Sequence, residues 1–526
     1  MKNVRFCFIA LLLLLDVFIS VAWAQTPRFG GTLVTSTFGN ITSLNPIWKY
    51  DQPAFMISQN IYSTLVISDW GISEGAKPYG DLAKSWEISD DGLTYTFHLY
   101  DNVYWHDGVK FTSADVKFTY DTVISKKYPL ASYLKLVKEI RTPDEKTVVF
   151  KLSDINAPFL PMLANASNWY GQIIAKHLYE GTDIQTNPYN KKPVGTGPFK
   201  FVEWKDGQFV TLQVNEKYFR ERAYLDKIIW RVYTNKEVPQ ADFTSGNLHL
   251  LMYELIPPFH QLKALGARPG VKMWEQKSIY DRCLVFNHKR KPFSDIRVRE
   301  AISLAINRDE VSQLAWAGLW KPNYHASCSG SPLFTNSKVR WPDQDLKRAQ
   351  QLLDEAGYPP DSDGVRLKPV LIATDYLKPM VEVIIQQLKR IGVHTKFDLS
   401  ETATWLSRLG SGDFDLTPYY IRFGPDPDSY GEHFGTGEAR NVGKYSNATL
   451  DELAKAGQKT LNFSKRKESY DKVQEILRKD FAYLPVTESG YFQFSTSKLH
   501  GVTFGDPTSY GKSFGWGGYR ACWLEK

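Results

Sequence analysis

At 526 residues the chain is longer than one hydrophobic core normally organises, and 43% hydrophobic with 23% charged content is that of a folded protein, not a disordered one. The formal charge of +7 is spread along the sequence instead of gathering into a Lys/Arg block, which argues against a nucleic-acid-binding face. Aromatic residues make up 14% of the chain, and their rigid apolar bodies with polar tips serve cores first and binding clefts second.

The chain opens on Lys2 and Arg5, continues with an apolar run from Phe6 to Leu15, and reaches Ala22-Trp23-Ala24 before Gln25. Charged, apolar and small-residue regions in that order predict a cleaved secretory signal peptide over 1–24. No lipid anchor is expected, since Cys7 lies away from the cleavage point, and Asp16 ends the apolar run well short of the ~20 residues a membrane anchor needs. Export leaves Cys283, Cys328 and Cys522 where disulfides form. Cys283 sits in the apolar run DRCLVFN and reads as a buried free thiol, which leaves Cys328 and Cys522 as candidates for a bridge. No C-x-x-C occurs and the histidines show no metal-ligand spacing, so no metal or other cofactor is expected.

LTYTFHL, Leu93 to Leu99, alternates apolar and polar residues as a half-buried strand does, and TVVFKL at 147–152 repeats the pattern. Between them Thr112-x-x-Asp115 has the form of a capping box at a helix start. Further on, Val298, Ala301, Ile302 and Ala305 share a helical face behind a Ser294/Asp295 cap. Leu346, Ala349, Leu352, Leu353 and Ala356 form another, stopped at Gly357. MVEVIIQQLKRIG supplies a third, followed by the strand GVHTKFDL. Helix, glycine and strand in repeated succession predict α/β layers over roughly 280–485.

Two enzyme-like motifs near the C-terminus do not hold. Gly505 to Ser513 resembles a phosphate loop but places five residues, Asp506 to Tyr510, between glycines that the motif separates by four, and no apolar helix follows. GKSFG, Gly511 to Gly515, fits G-x-S-x-G without the helix that presents a nucleophilic Ser513. YYIRFGPDPDSY, Tyr419 to Tyr430, could form a metal corner, an acid/base pair or a pocket wall. Asp426 and Asp428, one proline apart, point to opposite faces of an extended chain, which does not suit two carboxylates converging on one bond.

DLAKSWEISDDGLTYTFHLYDNVYWHDGVKFTSADVKFTYDTV (81–123), VGTGPFKFVEWKDGQFVTLQVNEKYF (194–219), LVFNHKRKPFSDIRVREAISLAINRDE (284–310) and RAQQLLDEAGYPPDSDGVRL (348–367) resemble, in order, the blocks of the family 5 extracellular solute-binding proteins, receptors of ABC importers. The likeness runs from about residue 30 to the C-terminus. It implies an α/β, two-lobed periplasmic-binding-protein fold, with mixed sheets flanked by helices and a two-strand hinge. Lobe I is expected at 25–62, 190–278 and 487–526, an inserted subdomain at 63–189, and lobe II at 279–486, with the strands crossing near 279 and 486. The expected role is a periplasmic monomer, not an enzyme, that encloses a peptide or peptide-like solute and docks on the membrane permease. Opines, sugar acids, oligosaccharides and metal chelates are the other solutes the family admits, and a secreted hydrolase using Ser513 or a glycosidase using Asp426 is the alternative from a different class.

By matching blocks, ligand contacts are expected from Asn45, Trp48 and Tyr50 in lobe I, and from Tyr376, Lys378, Tyr419, Tyr420, Arg422, Phe423 and Asp426 in lobe II. In the peptide receptors of the family, the strand after the SGDFDL-like block (411–416) runs into an aspartate that pairs with the peptide's amino group. Here Phe423 stands at that place beside Arg422, and Asp426 can substitute only if the loop folds back.

Overall fold

Two long antiparallel strands organise the computed structural model, which describes residues 26–48, 52–68, 78–327, 332–423, 426–502 and 518–525. The expected signal peptide, Tyr50, Cys328 and the glycine-rich 505–515 motifs therefore lie outside the described residues. Val271–Phe286 and Leu484–Thr496 pair from Val271 opposite Thr496 to Leu284 opposite Leu484, with a register shift between Gln276 and Tyr280. From Tyr280 onward the first strand takes Leu416–Arg422 as its second neighbour, and the sheet continues into Val370–Ala373 and Lys396–Leu399. Near its other end the second strand takes Leu250–Leu251, and the sheet continues through Thr32–Phe38, Lys227–Tyr233, Phe209–Val214 and Phe199–Lys205. One sheet thus serves two α/β halves, and the strand pair is the crossing between them.

A separate antiparallel sheet, in the order Ala83–Ile88, Thr94–Leu99, Thr147–Leu152, Val137–Asp144, follows from the alternation in the sequence. Tyr95, Phe97 and Leu99 turn into a core with Val148 and Phe150, covered by Val116, Tyr120 and Val123 of the helix Ser113–Lys126. At the start of that helix the Asp115 carboxylate accepts from the Thr112 backbone N–H at 2.9 Å. This layer is fastened to the large sheet by VGTGPF. A Cβ at Gly195 would sit 1.9 Å from the Ile61 carbonyl oxygen, and one at Gly197 2.7 Å from that of Asn60, so only glycine allows the approach. His106 clamps the same turn, accepting from Gly195 N–H at Nδ1 (3.2 Å) and donating from Nε2 to the Gly197 carbonyl (3.0 Å). Burial pushes its pKa down to about 4, which keeps the neutral tautomer that this pattern needs.

In the second half, Asp295 caps Ile296–Ala305 by accepting from Arg297 N–H. The helix then stops, because Ile306 is extended and the Asn307 side chain caps a second helix, Arg308–Trp316. Leu346–Glu355 ends ahead of Gly357 (φ 87°) and Lys378–Lys389 ahead of Gly392 (φ 80°), the left-handed positions that glycine enters freely. Cys283 is a buried free thiol, as its apolar surroundings predict. Cys522 is free and buried as well, which corrects the expected bridge to Cys328: it is packed as a small apolar side chain.

Candidate ligand-binding cleft

Where the strand pair crosses, a cleft of about 1100 Å³ opens over Tyr280, Arg282 and Gly490–Phe492. One wall comes from the first half, with Tyr253, Glu254 and the start of the helix Phe259–Gly266. The opposite wall comes from Gln313–Ala317, Trp320 and the turn holding Asp375 and Tyr376. The walls meet at an aromatic cluster: Phe259 of the first half lies edge-on to Trp316 (5.1 Å) and Trp320 (5.0 Å) of the second. The Trp320 indole N–H donates to the Gly490 carbonyl at 2.7 Å and so fixes its ring to the crossing strand. Tyr491 packs edge-on to Tyr253 at 5.0 Å.

The floor is built by strand alternation. Tyr280 and Arg282 point to one face, Asp281 and Cys283 to the other. Four rings surround the Arg282 guanidinium, with centroids at 5.3 Å (Trp320), 5.4 Å (Tyr376), 5.6 Å (Tyr420) and 5.7 Å (Tyr280). Behind the floor the Asp281 carboxyl is fully buried, and desolvation holds its pKa well above the ordinary carboxylate value. Glu237, Glu254 and Asp375 are the acidic side chains lining the cleft.

The structure distributes the sequence candidates unevenly. Tyr376, 55% exposed, stands in the cleft against Arg282 and Trp320, and Tyr420 packs edge-on to Tyr280 at 5.7 Å. Arg422 pairs with Tyr280 across the strands, and its backbone N–H donates to His433 Nε2. Tyr419 is buried against Trp405. Trp48 is half-buried against the core.

Three candidates, Asn45, Phe423 and Asp426, need correction, and Lys378 is not among the residues that line the cleft. Asn45 is buried and ties its own loop together, donating to Asn190 Oδ1 (2.9 Å) and accepting from Ile47 N–H (3.0 Å). Lys378 lies at the start of a helix facing Glu382, 3.9 Å away. Phe423 is a core residue packed on Tyr430. Asp426 does not fold back to the cleft: it is 2% exposed and held by two hydrogen bonds from Arg466, at 2.9 and 2.7 Å. A buried carboxylate needs a cation, and Arg466 supplies it inside the second half.

Sequence reading missed Arg282, Tyr280, Trp320 and Phe259. The available signal was an arginine within the strand-like run YDRCLVF, since a charge at such a position is either paired or kept for a ligand.

Comparison with known proteins accounts for this architecture. The profile described as Bacterial extracellular solute-binding proteins, family 5 Middle, matches residues 77–441, and the chain belongs to that family. The oligopeptide-binding protein AppA of Bacillus subtilis is 27% identical over 490 residues, covering 88% of this chain and 86% of its own. Heme-binding protein A of Haemophilus influenzae is also 27% identical, with 87% of each chain covered. Among solved structures, the periplasmic binding protein DppA of Helicobacter pylori in complex with the peptide STSA superposes with a TM-score of 0.76 at 27% identity, over 95% of this chain and 99% of that one. The fold is thus the two-lobed one of periplasmic binding proteins.

Proposed function

We propose that this member of the family 5 extracellular solute-binding proteins captures a peptide or peptide-like solute between its two lobes and delivers it to the permease of an ABC importer. The observation that carries the reading is the cleft itself: about 1100 Å³, aromatic on both sides, and lined by residues from both halves across a two-strand crossing. A solute that touches both walls stabilises the closed arrangement over the open one, and the closed form is the one a permease can recognise. Rings such as Tyr253, Tyr376 and Trp320 supply area that does not depend on side-chain identity, which suits a ligand recognised mainly through its main chain. AppA and DppA, whose names and bound peptide mark them as peptide receptors, support that choice of solute.

The lobe limits follow the same reading: lobe I at 25–62, 190–278 and 487–526, the inserted subdomain at 63–189, and lobe II at 279–486. The register shift between Gln276 and Tyr280 supports the first crossing, and the facing step from Tyr491 to Ser489 supports a second one near Gly490, slightly beyond 486. Residues 1–24 act as a cleaved export signal without a lipid anchor, the mature protein is a periplasmic monomer, and it releases its solute chemically unchanged. The test is to incubate the mature protein with an equimolar library of di- to hexapeptides, identify what is retained by native mass spectrometry, and record the melting temperature. Retained, unmodified peptides with a raised melting temperature are expected. Hydrolysed peptides, or none retained, would sink the proposal.

A further inference from the structure

Among the described residues, the cation on the floor of the cleft has no ion-pair partner. Arg282 is 6% exposed, its Nε has no hydrogen-bond partner, and among the described residues its guanidinium makes no side-chain hydrogen bond or ion pair. The adjacent Asp281 does not neutralise it, because that side chain leaves the strand on the other face. The four surrounding rings attract the positive charge but accept no in-plane hydrogen bonds, so the fork of N–H donors stays unanswered. A desolvated, unpaired guanidinium is costly to keep. It is retained at the point of the cleft where both lobes and the crossing strands meet.

The group that completes this site is planar, anionic and able to accept two parallel hydrogen bonds, which describes a carboxylate. We propose that Arg282 is the anchor for a free carboxylate of the solute, with Tyr280, Trp320, Tyr376 and Tyr420 as the box that excludes water around the pair. This rests on the reading that the cleft takes peptides and adds which end of the ligand is fixed, and where. The acidic Glu237, Glu254 and Asp375 lie among the walls instead of the floor, and they outnumber the one wall lysine, Lys236, so the amino end of a zwitterionic ligand faces the more acidic part of the cleft.

Three peptide libraries of matched length test this with the full mature chain: free-acid peptides lacking Asp and Glu, the same peptides amidated at the C-terminus, and amidated peptides carrying one Asp or Glu. The wild type should bind the free-acid library at least tenfold more tightly than the amidated acid-free one. Tight binding of the third library would assign the anchored group to a side-chain carboxylate as well. Arg282→Gln should lose the discrimination, Arg282→Lys should keep part of it, and the ligand-free Arg282→Gln protein should melt no lower than wild type, because it loses an unpaired charge. Equal binding of free-acid and amidated acid-free peptides by the wild type would overturn the anchor while leaving the receptor intact. So would wild-type affinity in Arg282→Gln, or a ligand-free melting temperature several degrees lower, which would mark a structural arginine. Failure of all three libraries to bind would overturn the anchor together with the peptide reading.

Discussion

Replacing Asp428 with asparagine should stabilise the protein, and only above acidic pH. Asp426 is neutralised by Arg466, but Asp428, whose backbone N–H donates to Asp426 Oδ1 at 3.0 Å, has among the described residues only the Gln458 amide as a side-chain hydrogen-bond partner. Burial, and then the negative charge of Asp426, push its pKa from 3.8 up to about 7. In the unfolded chain the group ionises near 3.8, so between the two values the folded state holds a proton that the unfolded state has released. Stability therefore falls as pH rises through this window, and above it the contribution of this one group is fully lost. The gap corresponds to roughly 4 kcal/mol at most. For cooperative unfolding of a chain this long, that is a rise of about 4 °C in melting temperature. Asparagine keeps the shape and cannot ionise. Melts of wild type and Asp428→Asn from pH 4 to 8.5 should coincide at pH 4 and diverge to their full difference near pH 8. Parallel curves, or a difference largest in acid, would refute the assignment.

Arg466→Met should cost about 3–5 kcal/mol in urea unfolding, because it strands the Asp426 carboxylate, and adding Asp426→Leu should recover much of the loss. Gly195→Ala should cost about 3 kcal/mol or more, as its methyl group must displace the Ile61 carbonyl, and circular dichroism melts would show it. Tyr376→Ala should weaken peptide retention severalfold in calorimetry by removing a cleft ring, whereas Lys378→Ala, facing Glu382, should leave it unchanged. Retained peptide should reduce the radius of gyration in small-angle scattering, and an unchanged radius would count against closure.

The fold was more legible than the site because it is written in periodicity. The alternation at 93–99 and the helical face through Leu346 and Leu353 each specify an element whose neighbours are close in sequence. The helix break at Ile306 was hidden, since Asn307 looks like any polar residue until its side chain is seen capping Glu310 N–H. Site residues depend on what the chain brings together over long separations. Phe259 meets Trp320, and Asp426 meets Arg466, through contacts that no local pattern announces. Reading the loop after 416 by analogy located the correct strand, yet two of its residues turn inward: Phe423 to Tyr430 and Asp426 to Arg466.

The position of Arg282 separates two properties that a receptor of this kind must set. It lies on the crossing strand just past the register shift, on the floor, so its distance to a bound group changes little as the lobes rotate about that strand. An interaction that is equal in the open and closed arrangements adds affinity to both and shifts neither. Closure must then be driven by contacts made only when the walls approach, and the Phe259 edge against Trp316 and Trp320 is where they do so. Substituting the floor cation should therefore weaken capture without altering the compactness of whatever complex still forms. Phe259→Ala should do the reverse, with modest loss of affinity for the anchored end and a bound state that scatters as a more open particle. If Arg282→Gln complexes were the more open ones, the anchor would belong to the closing contacts, and the pivot would lie elsewhere than in the strand that carries it.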